Sequence, residues 1–569
     1  MTTRNSSFAA RLTALMAAAG LLVGLGACSS ADNGQSEDPD SSSTTVSTGA
    51  KDGAVAIFTP SDGITISQHT PLNKWAKLVP EITDALEAEG MSGDHIESFT
   101  SDSLDRQSRT VQDYVVDHLS ATDEDDIEAQ HTTLLVAPVV QTDDSTRQYG
   151  DYIRQELAHD DENDENTADD ADASDTSDTS DTGSADDGDS SADASEGTSE
   201  ADGTDSTEDA EDSEAERIVE ENRQAADRLV SALRLAQDSG MHVVLMASTI
   251  EGYSPDAFVS FSDARSIGQL QAEKMVTKLE LDKVSEDNPK YVEVMLPYDP
   301  QSSSADTDDA ASADDADTSA SFAQEAFAGI WSVLGPYFES GVLRSPSGIL
   351  TASTTADDWR LVAYDASEDD ATGSELANRL DVENSDSGHT RIDGVIAMND
   401  YVASDVIDEL EALGYTGSAA DINPSITISG IVDNITGKKD LAREAVPDPI
   451  KAPDTDGTDA DTQDEAERDA QWPLVTGYGA YVDSMPDLVS GKQWMTGLED
   501  RKALAEATAQ ACVRLNTGTT LDDMESVSTT TIAGKETPTI SEALLAVSAS
   551  NLKAELITPG YITMAEAGL

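Results

Sequence analysis

Seven histidines are the first candidates for acid–base or metal chemistry, and His69, His95, His118, His131, His159, His242 and His389 are scattered without ligand spacing. No H-E-x-x-H pair, G-x-S-x-G elbow or phosphate-cradling loop occurs, and Gly477 with Gly479 forms only the first half of a dinucleotide fingerprint. Aspartate is abundant, yet no Asp-x-Asp-x-Asp-Gly run closes on a glutamate as a calcium loop requires. The residues thus point away from catalysis and from a resident metal or cofactor. What remains is the chemistry of non-covalent recognition, carried by polar and aromatic residues at the ends of apolar runs. Asn399 and Asp400 close the run Gly394 to Met398, Asp263 opens a helical pattern, and Tyr478 follows Thr476 and Gly477. Trp75 stands at helical spacing with Leu72, Leu78 and Ile82, which suits a core position as well as a stacking platform. Asp263 and Asn399 can equally serve as helix N-caps.

The elements that must position these residues alternate in a regular way. Strands are expected at Ala54 to Phe58, Thr133 to Ala137, His242 to Ala247, Tyr291 to Leu296 and Gly394 to Met398. Amphipathic helices are expected over Leu72 to Leu86, with a kink at Pro80, and over Asp105 to Leu119, Glu216 to Asp238, Ala264 to Leu279, Phe322 to Ser340 and Tyr401 to Leu413. Strands that are apolar almost throughout need cover on both faces, so the pattern predicts α/β architecture with doubly wound parallel sheets. There are too many such units for one sheet, and two similar lobes follow. In this architecture ligands bind beyond the carboxyl ends of the strands.

Charge and composition bound the partners. The 569 residues carry 33 basic against 113 acidic side chains, a net charge of -80, which disfavours nucleic acid and anionic membrane surfaces. With two cysteines there is no disulfide framework, and Cys512, in an apolar helical pattern, is expected to be a small core residue. Arg4 and Arg11 precede the apolar run Leu12 to Leu25, which ends in Leu25-Gly26-Ala27-Cys28. This reads as a bacterial lipobox, with Cys28 acylated after removal of residues 1–28 as a signal peptide, and residues 29–51 as a flexible tether. The mature chain is expected outside the cytoplasm, attached to the cell membrane through lipid. Residues 160–216, 301–320 and 452–470 are acidic, Ser- and Ala-rich blocks with little apolar surface, expected to be disordered insertions.

The remainder of the mature chain resembles the type I periplasmic sugar-binding proteins of ABC transporters, and among them the xylose and multiple-monosaccharide branch. Trp472-Pro473-Leu474-Val475-Thr476-Gly477, running on through Ser490-Gly491-Lys492-Gln493-Trp494-Met495-Thr496 to Asp500 and Arg501, is similar to the family's "VTG" strand followed by "GxQYMTVFKDTR". Phe261 to Gln271 is similar to "FDNxxxGxLQ", and Val395 to Asp400 to "VxxxND". The resemblance implies two lobes joined by three crossovers and closing on a ligand, with lobe one at 52–250 and 478–530 and lobe two at 251–477 and 531–569. It implies a solute-binding lipoprotein, not an enzyme, with a carbohydrate or similar small polar solute as ligand and a membrane permease as partner. Lys74 and Trp75 stand where the family has Arg-Trp, and Asp263, Asn399 and Asp400 match its binding positions. Tyr478 is an additional platform. Other binding groups of the family are replaced, by Ala247 and Ser248, by Gly479, by Ala264, and by Val139 or Val140. Each lost partner of a sugar hydroxyl costs roughly 1–3 kcal/mol. A relative that has lost its ligand and acts as a surface interaction or structural lipoprotein is therefore the second expectation.

Overall fold

The computed structural model describes residues 53–62, 71–120, 128–140, 148–159, 208–298, 318–366, 370–381, 388–419 and 468–569. The signal peptide, Cys28, the tether and most of the three acidic blocks lie outside them. Two sheets organise the rest. The first runs, from edge to edge, Val527–Ile532, Lys535–Ile540, Ala257–Val259, His242–Met246, Thr132–Val136, Ala54–Pro60 and Ile96–Ser101. All its pairings are parallel except that of Val527–Ile532 with Lys535–Ile540. The second runs Ala363–Asp365, Lys290–Tyr298, Gly394–Ala397, Leu474–Tyr478, Met495–Leu498 and Leu545–Ser548, parallel except at its last pair.

The central strands are apolar almost throughout because each sheet is covered on both faces. Along Ala54–Pro60, Val55 and Ile57 face the helices Trp75–Ala88 and Arg501–Asn516, while Ala56 and Phe58 face Leu104–Ser120 and Glu208–Asp238. The second sheet repeats this arrangement. Val292, Val294 and Ile396 pack on Ala264–Lys278 and Thr318–Glu339, and Met295, Val395 and Val475 on Ala371–Leu380 and Asp400–Ala412. Helices Ala264–Lys278 and Thr318–Glu339 touch backbone to backbone. A Cβ on Gly268 would fall 2.2 Å from the Ala326 carbonyl oxygen, and one on Gly329 2.0 Å from that of Arg265.

The chain passes between the lobes three times, after Val259, after Leu498 and after Ile540. This corrects the expected lobe boundaries. Leu474–Tyr478 and Met495–Leu498 lie together in the second sheet, whereas Ala257–Val259 and Lys535–Ile540 pair with each other in the first. Apolar runs announce a strand but not its neighbour, and the neighbour decides the lobe. The block 160–216 is corrected at its end, because the helix Glu208–Asp238 begins inside it; likewise Thr318–Glu339 begins inside 301–320. The helix Trp75–Ala88 continues through Pro80, which is exposed. Among the described residues no helix is long and apolar enough to cross a membrane.

Candidate functional site

The carboxyl ends of the parallel strands of both sheets meet at a seam between the lobes, and the backbone crosses it directly where the Leu72 N–H donates to the Gly479 carbonyl at 2.9 Å. From lobe one, the turn before the helix Trp75–Ala88 brings Asn73, Lys74 and Trp75. Lys74 is the N-cap, in extended conformation, so its ammonium points away from its own helix and reaches Asp151 Oδ1 at 3.1 Å. Trp75 lies edge-on to Tyr152, with ring centroids 4.9 Å apart, and to Phe261 at 6.1 Å. It is buried in the lobe-one core and presents no open ring face.

From lobe two, Asn399 and Asp400 follow the strand Gly394–Ala397 and open the helix Asp400–Ala412. Asn399 caps the helix through its Oδ1, which accepts from Val402 N–H at 2.9 Å, while its Nδ2 donates across the seam to Gln148 at 3.0 Å. Asp400 is fully buried. It accepts from Gln493 Nε2 at 2.6 Å, Thr496 Oγ1 at 2.9 Å and the Tyr481 backbone N–H at 2.9 Å. Gly477 makes room for it, since a Cβ there would stand 2.2 Å from Asp400 Oδ1. Burial pushes the Asp400 carboxyl up to about 6 even against these three donors. Tyr478 is also fully buried, donating to Ser262 Oγ at 2.8 Å. Desolvation holds its phenol well above its ordinary value.

The structure thus brings Lys74, Trp75, Asn399, Asp400 and Tyr478 to one seam. Asp263 lies beside it but turns its carboxylate back on its own helix, accepting from Ser266 N–H at 2.7 Å in a capping box. Ala247 and Ser248 end the strand His242–Met246 at the same level, Ala247 at φ 61°.

Sequence reasoning missed several residues of the seam. Glu499 sits on the second crossover and accepts from the Ser262 N–H of the first at 2.5 Å; burial raises its carboxyl to about 7. Asn73 is 1% exposed, and neither atom of its carboxamide closes a hydrogen bond, although the group faces the Tyr478 hydroxyl. The largest omission is the segment 148–159, which threads the seam. Gln148 meets Asn399, Asp151 meets Lys74, and the Tyr152 hydroxyl donates to the Lys74 carbonyl. The Asp151 carboxyl is raised to about 6 by burial, with Lys74 opposing and Asp62 adding to the rise. The only signal in the sequence was the pair of tyrosines around Gly150 and Asp151, in a stretch with no periodicity.

The sequence matches no protein-family model and no curated protein at a significant level. Its structural neighbours are solute-binding proteins of sugar ABC transporters. It is similar, at 14% identity and a TM-score of 0.43, to a solute-binding protein from Clostridium phytofermentans with bound β-D-glucose, covering 90% of this chain and 99% of that one. It is similar at 16% identity and a TM-score of 0.42 to a carbohydrate transporter solute-binding protein from Chloroflexus aurantiacus in complex with D-glucose, covering 90% of this chain and 97% of that one. A periplasmic ribose ABC transporter protein from Conexibacter woesei is similar at 10% identity and a TM-score of 0.40, over 90% of this chain and 96% of that one. Among the described residues, no three His, Cys, Asp or Glu side chains are grouped so that they could hold a metal ion.

Proposed function

We propose that the chain is an extracytoplasmic solute-binding lipoprotein of an ABC transporter, held to the cell membrane through acylated Cys28, which takes a carbohydrate or similar small polar solute between its lobes for a membrane permease. The observation that carries the reading is Asn73. Its carboxamide is buried in the seam, turned to the Tyr478 hydroxyl but closing no hydrogen bond of normal geometry, beside Lys74 and Trp75 of one lobe and Tyr478 of the other. A buried amide without partners costs roughly 1–3 kcal/mol. Hydroxyls both donate and accept, so a polyhydroxylated solute can supply what both amide atoms lack. Asn399 and Gln148 add further polar groups within reach of the same seam. Contacts made to both lobes at once exist only in the closed arrangement, so a solute seated there holds the lobes together. The anchor and the permease are supported by the lipobox and by the family motifs of the sequence.

A thermal-shift screen against mono- and oligosaccharides tests the reading. A ligand at 100 times its dissociation constant adds about 2.7 kcal/mol of stability. Asn73→Ala is expected to abolish the response, and silence of the folded wild-type chain across the panel would refute the proposal. Incorporation of a radiolabelled fatty acid, lost in Cys28→Ser, tests the anchor.

A second reading, a relative that has lost its ligand and serves as a surface interaction or structural lipoprotein, is favoured by one observation. Asp400, Tyr478 and Glu499 are engaged in internal hydrogen bonds, and Ala247 and Ser248 offer little where an acid and an arginine are wanted. The same silent screen, obtained on a stably folded chain, is its expected result.

A further inference from the structure

The segment that threads the seam contacts the two lobes alternately. Gln148 accepts from Asn399 of lobe two at 3.0 Å, and its carbonyl accepts from the Tyr481 hydroxyl of the same lobe at 2.5 Å. Tyr149 packs on Phe322 with ring centroids 4.5 Å apart and faces Tyr478 at 6.4 Å, and together with Ile153 it belongs to the lobe-two core. Asp151 and Tyr152 turn the other way. The Asp151 N–H donates to the Asn73 carbonyl at 2.9 Å, its carboxylate pairs with Lys74, and Tyr152 fills the lobe-one core against Trp75 and Phe261. The Arg154 N–H then donates to the Ser262 carbonyl at the first crossover, at 3.1 Å. Beyond it Glu156–Leu157 is fixed to lobe one by parallel pairing with Thr249–Ile250.

From this geometry we infer that Gln148–Arg154 is an internal strap that holds the lobes closed in the absence of solute and that solute enters by displacing it; the inference rests on the solute-binding reading of the same seam. Lys74, Trp75, Asn399 and Tyr478, four of the residues whose positions point to a ligand, each meet this one segment instead. The strap fits through Gly150, whose φ is 113° and where a Cβ would stand 2.7 Å from Asn73 Cβ. It is also an imperfect occupant, because it covers Asn73 without pairing the carboxamide. That deficit is what allows a better-matched polar solute to compete.

Gly150→Val is the direct test, since it blocks the strap's closest approach without altering a group on either wall. Gln148→Ala/Tyr149→Ser, which keeps the glycine and removes the lobe-two contacts, guards against a folding defect in the first variant. Hydrogen exchange read by mass spectrometry on the full-length chain, without solute, is expected to show slow exchange over 148–154, 71–75 and 476–481 in the wild type. Both variants should exchange about tenfold faster or more in all three segments together. Fast exchange of 148–154 in the wild type, or walls that stay protected in both variants, would overturn the strap. Calorimetry with D-glucose, D-xylose and maltose forms the second arm. Tighter binding by the variants than by the wild type supports displacement, and equal affinity overturns it. Binding by none of the three chains refutes the solute-binding reading, while the exchange result still decides whether the strap holds the lobes.

Discussion

Replacing Glu499 by glutamine tests whether the interlobe seam is as dry as its geometry implies. Glu499 is 3% exposed, accepts from Ser262 N–H at 2.5 Å and faces the Tyr478 hydroxyl at 3.5 Å. Burial is the largest cause of its raised carboxyl, and the donors from Ser262 and Tyr478 offset only part of it. The folded chain therefore keeps this proton at pH values where the unfolded chain has released it. Stability contributed by the protonated form is complete below the ordinary carboxyl value and is lost as the pH rises towards 7. A carboxyl moved from 4.5 to about 7 corresponds to about 3 kcal/mol. Glu499→Gln keeps an oxygen for the Ser262 N–H and removes the charge. The variant is expected to equal the wild type near pH 4.5 and to exceed it by about 3 kcal/mol at pH 8. Asp400, raised to about 6, adds a slope of the same sign at lower pH, but it is present in both chains and cancels in the comparison. Urea unfolding followed by tryptophan fluorescence at pH 5 and pH 8 measures the difference. Parallel pH dependence of the two chains, or a glutamine variant less stable than the wild type at pH 8, would refute the dry seam.

Three further outcomes follow from packing. Gly477→Ala places a Cβ 2.2 Å from Asp400 Oδ1 and 2.6 Å from Gln493 Nε2. It is expected to cost about 2 kcal/mol or more, and an unchanged urea midpoint would contradict the position of Asp400. Arg501 pairs with Glu81 at 2.6 Å and 3.0 Å and donates to the Leu72 carbonyl, so Arg501→Met strands a half-buried carboxylate. A loss of about 3 kcal/mol is expected, largely recovered in Arg501→Met/Glu81→Met; a neutral single variant would show that the pair is not closed. Cys512 is fully buried, and desolvation pushes its thiol up to about 12. In a Cys28→Ser background it should react with dithiobisnitrobenzoate only as fast as the chain unfolds, and rapid labelling of the folded chain would contradict its burial.

How much was legible in the sequence depended on burial. Ala54–Pro60, His242–Met246 and Gly394–Ala397 could be recognised because both faces of a central parallel strand must be apolar. Ile96–Ser101 and Val527–Ile532 could not, since they are edge strands whose exposed positions carry Glu, Ser and Thr. Asn399 and Asp400 stood out because strand ends face the seam in this architecture. The cap role of Asn399 is local to Val402 and was legible, whereas the burial of Asp400 and the bond of Asn399 to Gln148 depended on Gln148, Gln493 and Thr496, which are remote in the chain. Asp263 showed in the structure the capping role that its place before a helix had already suggested. Gln148–Arg154 carried no hydrophobic period, and its contacts with residues 399 and 481 are visible only once both lobes exist.

The three passages of the chain between lobes bear on the order in which the molecule can be completed. Lys535–Ile540 covers the edge of Ala257–Val259, yet nearly all of the second lobe is synthesised between them. Until the carboxyl-terminal part arrives, an uncovered parallel edge made of Ala257, Phe258 and Val259 waits as a template for any other extended chain. Partnerships between segments so far apart are slow to form. Nascent chains should therefore depend on assistance, or on rapid translation, until Lys535–Ile540 has docked.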